Sequence, residues 1–146
     1  MSEHPNVGRI KDGYAAFAKG DLAALNDLFA EDVLWHVSGR NQLAGEYRGR
    51  DAVYGFFGRL MEVTEGSFHL DVRAVLADDA HGVALVVTTG SRAGRSITTN
   101  DAHVFHLRDG KIEVFDCYPM INIRMNQMGV SFDFASALAK AAETAA

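Results

Sequence analysis

Apolar residues recur at helical spacing through the first part of the chain and alternate with polar ones through most of the rest. Val7, Ile10, Tyr14 and Phe17 share one face of a helix over 5–19, and Gly20 is its natural stop. Asp21 is placed to cap a second helix carrying Leu22, Leu25, Leu28 and Phe29, so the two helices turn sharply against each other. The β-branched and aromatic run 33–37, VLWHV, predicts a strand, and 38–49, SGRNQLAGEYRG, a surface loop able to serve as the rim of a cavity. Asp51 then caps a third helix with Val53, Phe56, Phe57 and Leu60 on its apolar stripe, reaching to about Val63. Gly55 and Gly58 lie inside it. Each costs roughly 1 kcal/mol relative to alanine, which implies close packing against another backbone or room left for a ligand.

From Phe68 onward the period is two. Phe68, Leu70, Val72 and Ala74 alternate with polar residues, Asp78-Asp79 marks a turn, and VALVVTT at 83–89 is apolar enough for the interior of a sheet. SRAGR at 91–95 is a further turn. The stretch 100–118, NDAHVFHLRDGKIEVFDCY, reads as two strands joined by Asp109-Gly110, a dipeptide suited to a type I′ turn. Beyond Tyr118-Pro119 the pattern weakens, and Phe134, Leu138 and Ala141 suggest only a short alanine-rich helix.

Three helices against a strongly curved mixed or antiparallel sheet give an α+β, cone-shaped architecture enclosing a cavity. At 146 residues, with 48% hydrophobic and 23% charged, a single domain over 1–146 is expected, its core at about 5–118 and an extension at 119–146. A net charge of −5 without a Lys/Arg cluster argues against nucleic acid or an anionic membrane. No apolar run reaches the roughly 18 residues of a membrane span, and MSEHPNVGRIKDG has no signal-peptide core, so the expected location is cytoplasmic. Cys117 is the only cysteine, which excludes an internal disulfide or a multi-thiolate zinc site. Its default role is that of a small buried hydrophobe.

Candidate chemistry lies in the hairpin. Asp101, His103, Phe105 and Leu107 share one face, so titratable groups are embedded in apolar alternation, which is costly unless they are paired. His103, with an ordinary pKa of roughly 6.5, is the candidate base or acid, and Asp101 can bias its orientation. The alternative for His103 is a structural, partly buried histidine. Regular alternation puts Asp116 on the face of Ile112 and Val114, which would turn it inward as a third catalytic candidate, whereas a bulge near Pro119 would reverse that assignment. Trp35 would form an apolar wall, leaving His36 on the opposite face. Tyr14, Phe17, Phe56, Phe57 and Leu60 from the helices, with Phe105, Phe115 and Tyr118 from the hairpin, complete the expected pocket. His106 falls opposite His103, so HxxH makes no convergent metal site, and neither metal nor cofactor is expected.

The phrases YAAFAKGDLAALNDLFAEDVLWHVSG (14–39), GEYRGRDAV (45–53) and HVFHLRDGKIEVFD (103–116) resemble the SnoaL-like branch of the nuclear-transport-factor-2-like superfamily. That resemblance implies the cone-shaped fold. It leaves the reaction open, since the family hosts polyketide cyclases, ketosteroid isomerases, epoxide hydrolases, dehydratases and proteins with no known reaction. By the resemblance, Val37 stands where the isomerases keep their base and His103 where they keep a protonated acid. Thr99, two before Asp101, stands where the epoxide hydrolases carry an arginine. The cyclases use a carboxylate and a histidine to deprotonate a carbon acid, and His103 with Asp101 or Asp116 could supply both. The segment where relatives often keep a further acid reads Pro119-Met120-Ile121. The expected function is therefore acid-base chemistry on an apolar carbonyl compound, with non-catalytic binding of an apolar ligand or a homodimerising scaffold as alternatives. Pairing as a homodimer is expected in any of the three cases.

Overall fold

The computed structural model describes residues 2–39 and 42–119, so the predicted terminal helix and the acid-free 120–121 segment lie outside the described residues. Helix α1 spans Pro5–Lys19, and Gly20 ends it in the left-handed region at φ 68°, its N–H returning to the carbonyls of Ala16 and Phe17. Asp21 accepts the Ala24 amide at 3.1 Å and so caps α2, Leu22–Leu28. The chain passes directly into β1, Phe29–Val37, four residues earlier than the apolar run alone suggests. Within the expected rim loop, Gly45–Arg48 forms a short strand, β2, antiparallel to β1. Helix α3 covers Arg50–Val63 and starts from Gly49 at φ 88°, so Asp51 sits in the first turn rather than at the cap.

Strands β3 (His69–Ala77), β4 (His81–Arg92), β5 (Arg95–Arg108) and β6 (Lys111–Pro119) follow as an antiparallel meander. Their turns have the expected chemistry. Asp78 Oδ1 accepts the amides of Ala80 and His81, while Ala93-Gly94 and Asp109-Gly110 both take positive φ. The sheet order is β2-β1-β6-β5-β4-β3, with β1 and β6 parallel and all other pairs antiparallel, so the sheet is mixed and open.

The helices cover one face. On β4 that face carries Gly82, Ala84, Val86 and Thr88, all buried, and Gly82 lets the Ile10 side chain of α1 come down where any Cβ would collide with it. Small residues here bring α1 close to the sheet. Gly55 and Gly58 do nothing comparable: both are exposed, and an added Cβ would meet nothing within 4 Å. Close packing is therefore not why they are there. Gly55→Ala and Gly58→Ala should each raise the urea-unfolding free energy by roughly 0.5–1 kcal/mol, because alanine loses less backbone entropy in a helix.

Candidate active site

Between the helices and the sheet lies a cavity of about 140 Å³. Its walls are mostly apolar, and many of the side chains in them are aromatic. Trp35 and Phe115, register partners on the parallel strands β1 and β6, stack at 3.8 Å and 9°, and Phe57 meets Trp35 edge-on. Tyr14, Phe17, Trp35, Phe56, Phe57, Leu60, Phe105 and Phe115 all line the space, as the sequence suggests. Exposed Ser38 lies on its rim.

One end is polar. Asp101 and His103, adjacent inward positions of β5, are 2% and 4% exposed. Asp101 Oδ2 accepts the hydroxyls of Thr88 at 2.5 Å and Thr99 at 3.1 Å, which fix the plane of the carboxylate. Thr88 and Thr99 are themselves register partners on β4 and β5. The Tyr14 hydroxyl reaches down from α1 to lie 2.6 Å from His103 Nδ1. Burial pushes the Tyr14 phenol well above its ordinary value, and electrostatic interaction with Cys117 and Asp101 adds to the effect. Burial pushes His103 down to about 4. Near neutral pH the pair is therefore an un-ionised phenol and an uncharged imidazole. With the phenol donating to Nδ1, the imidazole proton sits on Nε2. Tyr14→Phe should cost about 1–3 kcal/mol in urea unfolding, because Nδ1 would lose its donor away from water.

Asp116 and Tyr118 require correction. Along β5 and β6, His106 pairs with Val114 but Leu107 pairs with Ile112, so Glu113 is an extra, bulged residue. Ile112 faces in, and past the bulge the inward positions become Phe115 and Cys117. Asp116 is turned to the outer face, where its Oδ1 lies 3.0 Å from His36 Nδ1, and Tyr118 is 56% exposed. Neither lines the cavity. Cys117, read from sequence as filler, lies instead at the polar end opposite His103, its register partner. Tyr14 was legible only as an apolar helix position. Its hydroxyl contact spans 89 residues and has no local sequence signal.

The described residues that could hold a metal are Asp101, His103 and Cys117, each offering one donor atom within 4.8 Å of the others. No helix among the described residues is long and apolar enough to cross a membrane.

The chain is an α+β protein of three helices over a six-stranded mixed sheet, with an apolar cavity that has one polar end. The chain belongs to the SnoaL-like domain family, whose profile matches residues 10–115. It is 32% identical over 113 residues to the uncharacterized protein Rv0034 of Mycobacterium tuberculosis (strain ATCC 25618 / H37Rv), covering 77% of this chain and 86% of that one. Among solved structures it resembles Bal32a, from a soil-derived mobile gene cassette, with 32% identity and a TM-score of 0.75 over 80% of this chain and 89% of Bal32a. It shares its fold with IdmH of Streptomyces antibioticus, for which a polyketide cyclase role has been put forward, at 21% identity and a TM-score of 0.67, covering 87% and 100% of the two chains.

Proposed function

We propose that the protein takes a small, largely apolar carbonyl compound into the cavity and moves a proton at the carbon next to the carbonyl. The observation that carries this reading is the convergence of Tyr14, His103 and Asp101 at one end of an otherwise apolar space. Asp101 takes the α-proton as the C–H bond breaks. The neutral His103 ring donates its Nε2–H to the enolate oxygen that forms, while Tyr14 holds the other ring nitrogen. A neutral imidazole can fill the donor role, because its weakly acidic Nε2–H hydrogen-bonds to the enolate oxygen without giving up the proton. In a substrate with a second carbonyl, the enolate carbon adds to it and the new alkoxide takes the proton held by Asp101. Otherwise Asp101, its proton exchanged with solvent, returns a proton to the carbon and is free for the next turn.

Val37, at the position where the isomerases keep their base, favours a second reading in which the cavity only binds its ligand. Deuterium exchange separates the two. With 2-indanone in D₂O, followed by proton NMR, wild type should exchange the α-protons faster than buffer, and Asp101→Asn should lower that acceleration by about 10²–10⁴-fold. Protection or shift of 2-indanone signals without any acceleration would leave the binding reading alone.

A further inference from the structure

His103 and Cys117 are direct register partners on β5 and β6, and Asp101 stands two residues before His103 on the same inward face. One donor atom of each lies within 4.8 Å of the other two, and all three line the cavity. We propose that these side chains bind a zinc ion at the polar end, with a fourth coordination position open to the cavity. Tetrahedral zinc, with bonds of about 2.0–2.3 Å, holds its ligand atoms about 3.3–3.8 Å apart, so closure asks for a contraction of at most about 1.5 Å.

The donor set selects the ion. Thiolate, imidazole and carboxylate together favour zinc over magnesium or calcium, which prefer oxygen throughout. Charge also balances: one carboxylate and one thiolate neutralise the dication, so the loaded site carries no net charge into apolar surroundings. As the S–Zn bond forms, the Cys117 thiol gives its proton to solvent. The His103 ring changes tautomer as it binds: Nε2 gives up its proton to solvent as the N–Zn bond forms, Nδ1 takes one up, and Nδ1–H donates to the Tyr14 oxygen, 2.6 Å away, the outer-shell contact that orients a metal-bound histidine. Sequence spacing conceals this set, because the two strands must pair before Cys117 reaches His103.

Zinc on His103 occupies the nitrogen that the enolate oxygen would use, so the ion and the proton transfer exclude each other. The metal site itself stands whether or not ketone exchange is observed, since cobalt absorption reads the ligands directly. Metal-stripped full-length protein titrated with Co²⁺ should bind one equivalent and develop the visible bands of tetrahedral cobalt, with a near-ultraviolet thiolate-to-cobalt absorption that Zn²⁺ displaces. Cys117→Ser should lose the near-ultraviolet band, and Tyr14→Phe should weaken binding about 10–100-fold. Folded wild-type protein without that band at one equivalent, or the band persisting in Cys117→Ser, would overturn the assignment.

Discussion

Between pH 7 and pH 4 the metal-free protein should lose about 3 kcal/mol of stability through His103 alone. The folded state holds this imidazole neutral, with its pKa pushed down to about 4 by burial, whereas in the unfolded chain it titrates near 6.5. Between those values the unfolded state binds the extra proton, so the stabilisation is complete above about 6.5 and is lost as pH falls toward 4. Carboxylates also contribute to acid unfolding, so the informative quantity is a difference. Urea-unfolding free energies of wild type and His103→Gln at pH 7 and pH 4.5 should show the steeper acid loss in wild type. Equal slopes would mean that the ring is protonated or solvated in the folded state.

Phe115→Ala should cost about 3–5 kcal/mol, the range for removing a buried aromatic ring. Phe115 is 6% exposed, stacks on Trp35, and touches the rings of His103 and Phe105 edge-on. No neighbour can collapse into its place without leaving the sheet register that sets Trp35 and Phe105 on either side of it. Because Trp35 is the chain's only tryptophan, its emission should move to the red in the variant as water reaches the indole. An unshifted emission with a loss under about 1 kcal/mol would mean that the stack contributes little to the core.

Much of this fold is written in local chemistry. Gly20 and Asp21 mark the joint of the first two helices, and the Ala93-Gly94 and Asp109-Gly110 turns fall where their positive φ angles are needed. Alternation along β5 correctly sets Asp101, His103, Phe105 and Leu107 on the buried face. Non-local events are what escaped. The parallel pairing of β1 with β6 and the strand Gly45–Arg48 depend on partners far along the chain or on a short polar run with no apolar signature. The bulge at Glu113 carries no marker residue, yet it exchanges Asp116 and Tyr118 for Phe115 and Cys117 at the cavity. A single extra residue thus removed one candidate acid and supplied a thiol.

The most direct test of the proton-transfer account is the pH dependence of protein-catalysed 2-indanone exchange in metal-free wild type, measured from pH 4.5 to 8 after subtraction of the buffer rate. With a buried neutral His103 as donor to the enolate oxygen, the rate should pass through 6.5 without an inflection. An inflection near 6.5 that disappears in His103→Gln would contradict it, since it would make His103 an ordinary solvated base.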